Sequence, residues 1–161
     1  MRSGDKLISL ADLPAWRLAL RSAGKKLVVT NGCFDILHPG HTTYLEGARE
    51  LGDVLLVGVT GDDSVRQLKG ADRPLNNETD RATMLAALGA VDRVCIFPDL
   101  TAMRFLSFAQ PDVYVKGGDN TLETINQEER RYVEGLGGQV RIVPGVPGKS
   151  TSKLVEKIKR L

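Results

Sequence analysis

The sequence predicts an α/β protein in which a five-stranded parallel sheet is wound with helices on both faces. Two observations carry this. Short β-branched runs begin at Lys26, Asp53, Arg93, Asp112 and Gln139. They are apolar on consecutive rather than alternate positions, as strands covered on both sides must be. Segments with helical spacing lie between them, so strand and helix alternate along the chain. A third observation is compositional: 17 of the 161 residues are glycine, against a usual level of about 7%, with no collagen period or low-complexity tract.

An amphipathic helix over residues 10–21, with Ser9 as its cap, precedes the first strand and turns Leu13, Trp16 and Leu20 toward the sheet or toward a second copy of the chain. The first strand reads Leu-Val-Val-Thr after Lys26. A helix over residues 41–51 then aligns Tyr44, Leu45, Ala48 and Leu51, and Pro39 suits its first turn. After the second strand, Val-Leu-Leu-Val-Gly-Val, comes the richest turn segment, residues 69–77, which is either a mobile loop or a clamp on a substrate. Asn77 caps a helix over residues 77–88 that aligns Ala82, Leu85, Ala86 and Leu88. Helices over residues 101–109 and 123–136 flank the fourth strand. A last helix, residues 150–161, spaces Leu154, Val155, Ile158 and Leu161 for packing. One domain is expected, with residues 1–25 a helical extension and residues 26–161 the core.

Composition narrows the function classes. Lys and Arg number 22 against 20 Asp and Glu, so the net charge of +2 supports no nucleic-acid coat. No 18-residue apolar run spans a membrane. The stretch over residues 8–20 is broken by Asp12, Pro14 and Arg17, unlike a signal-peptide core, and Cys33 and Cys95 make no disulfide framework. A cytoplasmic, reduced protein with neither nucleic acid nor membrane as partner is the expectation.

In an open parallel sheet the binding crevice lies beyond the carboxyl ends of the strands. Four such segments are unusual: residues 30–41, 60–63, 116–119 and 144–152. The first carries both histidines of the chain, His38 and His41, three residues apart at the start of a helix. Free N–H groups and the helix dipole attract an anion there, and a phosphate is the natural guest. Two imidazoles can donate to phosphate oxygens and offset the charge that builds up at an attacked phosphorus. The pair also reads as half of a metal site, with only Cys33 and Asp35 close in sequence as further ligands, or as coincidence. Neither Gly-x-Gly-x-x-Gly nor the P-loop pattern occurs, which argues against dinucleotide oxidoreductases and P-loop kinases.

Residues 31–41, Asn-Gly-Cys-Phe-Asp-Ile-Leu-His-Pro-Gly-His, resemble the His-x-Gly-His signature of the cytidylyltransferase-like nucleotidyltransferase superfamily. Residues 149–152, Lys-Ser-Thr-Ser, resemble its second signature, a Ser/Thr-rich turn that opens the last helix. Residues 68–76, 89–92 and 115–119 are similar, in the same order, to segments of the adenylyltransferase domain of the bacterial enzymes that make ADP-heptose. The resemblance implies a Rossmann-like sheet of the nucleotidyltransferase type. It also implies transfer of AMP from ATP to D-glycero-D-manno-heptose 1-phosphate, with pyrophosphate released. The chain has no room for the sugar kinase often fused to this domain, so a separate kinase is expected to supply the sugar phosphate. Glycerol 3-phosphate cytidylyltransferase and FMN adenylyltransferase belong to the same superfamily and remain alternatives, as does a non-catalytic nucleotide-binding module.

The resemblance also assigns roles. His38 and His41 contact the triphosphate and stabilise the transition state, while Asn31, Gly32, Cys33 and Phe34 border the nucleotide. Lys69 is the mobile basic side chain that approaches the phosphates. Lys116, Gly117 and Asp119 face the nucleotide, with the Lys-Gly-Gly turn allowing close backbone approach. Ser150, Thr151 and Ser152 bind β- or γ-phosphate, cap the helix, or both. Asp35 and Asp62 hold sugar hydroxyls or cap turns. Arg73 and Arg81 contact the substrate anion or form surface ion pairs. Cys33 is a thiol nucleophile or a small residue beside the ligand; a sugar phosphate is already a nucleophile, so in-line attack needs positioning rather than a covalent enzyme. Relatives often place an arginine ahead of the last turn, where this chain has Gly145, Val146 and Pro147, and Lys149 is the substitute. No metal cage is visible, so Mg²⁺ is expected as Mg-ATP.

Overall fold

The computed structural model describes residues 1–161. Five strands, β1 (Leu27–Gly32), β2 (Val54–Thr60), β3 (Arg93–Phe97), β4 (Val113–Gly118) and β5 (Gln139–Pro144), form one sheet in the order β3-β2-β1-β4-β5. All neighbouring pairs are parallel. Seven helices accompany them: α1 (Leu13–Ser22), α2 (Pro39–Arg49), α3 (Asp62–Lys69), α4 (Glu78–Ala86), α5 (Met103–Ala109), α6 (Gln127–Gly135) and α7 (Thr151–Lys159). This is the doubly wound sheet the alternating pattern predicts, and no helix is long and apolar enough to cross a membrane.

Adjacent strand residues point to opposite faces, which is why consecutive positions are apolar. Val28, Leu55, Val57, Val59 and Val115 pack with Leu45, Ala48, Ala82 and Leu85 on one side. Leu27, Val29, Leu56, Cys95 and Tyr114 pack with Leu13, Phe105, Leu106 and Val133 on the other. Trp16 and Leu20 lie against that second cluster, so α1 packs on its own sheet. Arg17 fastens it there, donating to the Gln110 carbonyl and to Asp112 at the foot of β4.

The order reverses between β1 and β4, and there the ladder stops early. Strand β1 pairs with β2 as far as Gly32 opposite Val59, but with β4 only through Val28–Val113 and Val29–Tyr114. Beyond those residues the two strands diverge, and side chains replace the missing ladder. The Tyr44 hydroxyl lies 2.5 Å from Thr30 Oγ1 and donates to the Val115 carbonyl at 3.0 Å, bridging β1 and β4. This splay opens the crevice that a sheet with a switch point provides.

Three elements differ from expectation, one of them α6, which starts at Gln127 rather than at residue 123. Helix α3 escapes the sequence pattern because Asp-Asp-Ser-Val-Arg-Gln-Leu-Lys is short and mostly polar: Val65 and Leu68 are its only apolar residues, and only Ser64 and Val65 are buried. As a result Lys69 ends a helix, with Gly70 next at φ +106°, rather than standing within the turn-rich loop. The N-terminal helix starts at Leu13, not residue 10. Leu10–Asp12 form a 3-10 turn whose Asp12 N–H donates to Ser9 Oγ.

Candidate active site

A cavity of about 420 Å³ opens where β1 and β4 part. It brings together twelve of the residues singled out from sequence: Asn31, Gly32, Phe34, His38, His41 and Lys69 on one side, and Lys116, Gly117, Asp119, Ser150, Thr151 and Ser152 on the other. The two signature segments therefore meet across one space, although more than a hundred residues separate them in the chain.

His38 is the N-cap of α2, and its Nδ1 accepts the Gly40 N–H at 3.1 Å. In the neutral ring this places the proton on Nε2, leaving a donor on the ring's other edge. His41 stacks on His38 with ring centroids 3.9 Å apart, and Phe34 meets His41 edge-on at 5.3 Å. Burial pulls His41 down to about 4, with His38 and Lys69 adding to the shift. His38 is also lowered, by burial and then by Lys149. Both rings are thus neutral donors at pH 7, suited to phosphate oxygens without acting as acids. The Nδ1 of His41 is buried without a protein partner.

Gly40 lines the cavity and also has a packing role. A Cβ there would sit 2.8 Å from His38 Cε1 and 3.2 Å from Lys149 Cβ, so its bareness lets the imidazole fold back over the helix end. A Cβ on Gly117 would collide with Tyr44 Cε2; that glycine makes room for the bridging tyrosine, and only its neighbour Gly118 has a positive φ, +69°.

At the other wall Ser150 caps α7, accepting from the Lys153 N–H, and Thr151 Oγ1 donates to the Ile36 carbonyl. Ser152 makes no side-chain bond of this kind, and Lys149 adds a cation beside the turn. Lys116 reaches Asn31 Oδ1 at 3.0 Å, and burial lowers its pKa against the opposing pull of Glu129.

The remaining five singled-out residues lie outside this cavity, and four of them are engaged with the protein itself. Arg81 is wholly buried and donates to the Asn76, Cys33 and Thr60 carbonyls and to Asp62 at 2.8 Å. It is neither a surface ion-pair residue nor an open anion contact; it ties the ends of β1 and β2 to α4. Asp35, almost fully buried, receives Arg73 Nε at 2.8 Å and the N–H groups of Leu75 and Asn76 at 2.9 Å, so its oxygens face loop donors rather than a sugar. Burial alone would raise this carboxyl, but the Asn76, Leu75 and Arg73 donors outweigh it and hold it below its usual value. Residues 70–76 are thereby fastened to Asp35, and the bond between Arg73 and Pro74 is cis. Asp35 and Arg81 also border a second cavity of about 430 Å³ beside α4, with Met84 and Leu37. Burial raises the Cys33 thiol, against Lys69 and Arg81, so it is a poor thiolate.

Sequence reasoning missed Tyr44 as a functional side chain, because its position on the apolar face of α2 reads as core. It also missed Glu129 and Tyr114, which reach Asn31 from behind the sheet.

A doubly wound sheet, a switch-point cavity walled by a His-x-Gly-His helix start, and a Ser/Thr-rich helix start opposite define a nucleotidyltransferase. Residues 29–156 match the family described as Cytidylyltransferase-like, and the chain belongs to that family. Among curated relatives, the Bifunctional protein HldE of Geotalea uraniireducens (strain Rf4) is 50% identical over 157 residues, which is 98% of this chain and 32% of that protein. The Bifunctional protein HldE of Pseudomonas paraeruginosa (strain DSM 24068 / PA7) is 51% identical over 140 residues, covering 87% of this chain and 29% of the relative. The chain thus spans about a third of the length of the curated relatives it matches. Among solved structures, the lipopolysaccharide core biosynthesis protein from Thermoplasma volcanium GSS1 is 31% identical, with a TM-score of 0.63 over 76% of this chain and 98% of that one. The pantoate-beta-alanine ligase from Francisella tularensis, 12% identical at a TM-score of 0.58, covers 96% of this chain and 78% of its own, and shares the fold.

Proposed function

We propose that the chain transfers AMP from ATP to D-glycero-D-manno-heptose 1-phosphate, yielding ADP-heptose and pyrophosphate for the inner core of lipopolysaccharide. The observation that carries this reading is the stacked pair His38 and His41 facing the Ser150–Ser152 turn across a single cavity lined by Lys69, Lys116 and Lys149. Its chemistry is that of a polyphosphate bound between two helix N-termini. The choice of sugar rests on the HldE relatives and on the lipopolysaccharide core protein.

A phosphate oxygen of the sugar 1-phosphate attacks the α-phosphorus in line. The bond from that phosphorus to the oxygen bridging toward the β-phosphate breaks, and pyrophosphate leaves. His38 and His41 donate to oxygens that gain charge as this happens, and Lys69, at the end of α3, offsets the leaving charge. Ser150, Thr151, Ser152 and the N-terminus of α7 hold the β- and γ-phosphates. Asn31, Gly32, Phe34, Lys116, Gly117 and Asp119 border the nucleotide. Mg²⁺ carried on the triphosphate would supply further charge neutralisation; Asp119 is the one carboxylate lining the cavity, which suits an ion held by phosphate and water. A sugar kinase, a second activity consistent with the bifunctional character of the HldE relatives, would supply the heptose 1-phosphate in the cytoplasm.

The test is pyrophosphate release from each nucleoside triphosphate with Mg²⁺ and a panel of acceptors: heptose 1-phosphates, glycerol 3-phosphate and FMN. Release with ATP and the heptose phosphate alone is expected. Release only with CTP and glycerol 3-phosphate, or only with FMN, assigns the other chemistries, and ATP binding without release by any acceptor leaves a nucleotide-binding module. His38→Ala and His41→Ala should each slow turnover by about 3 kcal/mol of barrier, the scale of one lost oxyanion donor.

A further inference from the structure

A buried chain of polar groups reaches the cavity from the opposite side of the sheet. Glu129, on α6, is 5% exposed, and its Oε1 accepts the Ala102 N–H at 2.8 Å. Its Oε2 lies 2.9 Å from the hydroxyl of Tyr114, which is fully buried in the cluster under β4. The same hydroxyl lies 2.6 Å from Asn31 Oδ1, and Lys116 Nζ lies 3.0 Å from that same oxygen. Tyr114 is the last β4 residue paired with β1, so the chain begins where the ladder ends.

The donor inventory fixes the direction of the Asn31 amide. Lys116 Nζ can only donate, so the amide atom facing it is Oδ1; the phenol has a single proton, and the 2.6 Å contact directs it to that oxygen rather than to Glu129, so the acceptor end of the amide is occupied within the protein. Its Nδ2, with two N–H groups, has no protein partner, and Asn31 lines the cavity. A flipped amide would set Nδ2 against Lys116 and leave two donors facing each other. Lys116 keeps further N–H bonds free beside it. The wall therefore presents an amide donor next to a cation, a pairing that complements an oxygen carrying negative charge and repels another donor.

We propose that Tyr114 is a positioning residue which, from behind the sheet, orients Asn31 and Lys116 as a paired donor for a phosphate oxygen of a substrate in the cavity. This rests on the reading that the cavity binds phosphorylated substrates. Tyr114 acts through Asn31, while Glu129 lies behind the phenol and anchors the first turn of α5.

A double-mutant cycle on the full chain tests this, because a structural effect of Tyr114 does not depend on what residue 31 is. Tyr114→Phe, Asn31→Ala and their combination are compared for kcat, for KM of ATP and of heptose 1-phosphate, and for the Kd of Mg-ATP by calorimetry. Tyr114→Phe is expected to weaken one of these substrates about tenfold, the scale of one charge-assisted hydrogen bond. In the Asn31→Ala background it should change nothing beyond about twofold. A rise confined to KM of the sugar phosphate places the oxygen on the acceptor; a rise in the Kd of Mg-ATP places it on the nucleotide. Equal factors in both backgrounds, or unchanged constants in a folded Tyr114→Phe protein, overturn the proposal. Should Tyr114→Phe not fold, Asn31→Asp replaces it: this keeps the shape but presents no N–H, and wild-type affinity for both substrates overturns the proposal. If the wild type turns over no acceptor, the proposed function fails, and the cycle read on the Kd of Mg-ATP still decides this one.

Discussion

Replacing Asp35 by asparagine removes one charge and almost no volume, yet it unbalances the donors gathered around that side chain. The carboxylate is the acceptor for three donors, Arg73 Nε, Leu75 N–H and Asn76 N–H, all within 2.9 Å. An amide of the same shape keeps one acceptor oxygen and turns an NH₂ toward donors, so at least one contact becomes donor against donor. Hydrogen bonds to a charged group contribute about 1.5–3 kcal/mol each, and breaking a buried pair by removing one partner costs about 3–5 kcal/mol. Since one oxygen is retained, Asp35→Asn should cost about 2–4 kcal/mol, which in a chain of this size lowers Tm by about 5–15 °C. The pH dependence sharpens the test. Burial raises this carboxyl, the Asn76, Leu75 and Arg73 donors lower it further than burial raises it, and the folded pKa lies below the ordinary value. Its stabilisation is therefore complete above the unfolded pKa of about 3.9 and fades as pH falls through the folded value. Urea unfolding monitored by circular dichroism should show a constant gap between wild type and variant from pH 5 to 8, closing toward pH 2. A gap under about 1 kcal/mol at pH 7, or one unchanged at pH 2, would refute the account of Asp35 as the anchor of residues 70–76.

Three further outcomes are expected. The His41 imidazole should titrate near 4 in proton NMR, because burial, His38 and Lys69 all disfavour its charged form; the folded state is then penalised as pH falls from about 6.5 toward 4, and a midpoint near 6.5 would contradict the stacked, neutral pair. Gly117→Ala drives a methyl into the Tyr44 ring, whose hydroxyl is tied to β1 and β4; thermal melts should show a loss of about 1–3 kcal/mol that shrinks in a Tyr44→Leu background, and an equal loss in both would refute the clash. Arg81→Lys supplies too few donors for three carbonyls and Asp62, so denaturant unfolding should show a loss of about 3 kcal/mol or more despite the retained charge; a loss under about 1 kcal/mol would show that Arg81 is not the hub of that corner.

Much of this molecule can be read from its residues, for identifiable reasons. Strands β1 to β4 are legible because burial imposes apolar runs, whereas β5, at the sheet margin, alternates exposed and half-buried positions and is betrayed mainly by its place between two helical segments; α4 is legible because Asn77 advertises its start by accepting the Asp80 N–H. The two histidines stand out because a Pro-Gly pair marks the helix they open. Helix α3 is hidden because eight mostly polar residues offer only Val65 and Leu68 as apolar marks, too few to stand out from a loop. Arg81 and Asp35 are legible as important but not in role. A sequence does not say whether a charge points outward at a ligand or inward at backbone carbonyls, and here burial settles it inward. Tyr114 and Glu129 leave no local signal at all, since the contact that gives them meaning joins β4, α6 and β1.

The N-terminal residues do more than lead into α1. The segment at Leu7 forms a parallel bridge with Val94, the Ile8 N–H donates to the Val94 carbonyl at 2.9 Å, and Lys6 Nζ donates to the Leu88 and Val91 carbonyls. Strand β3 is a margin of the sheet, and this short strap occupies part of its open row of hydrogen-bonding groups. Unpaired margins are where separate molecules zip together. One margin of this sheet is partly sheathed by its own chain; the other, β5, exposes Arg141 at its centre, a charge that discourages intruding strands. The first eight residues thus act as a guard on solubility, and trimming them would bare a sticky border far from the catalytic cavity.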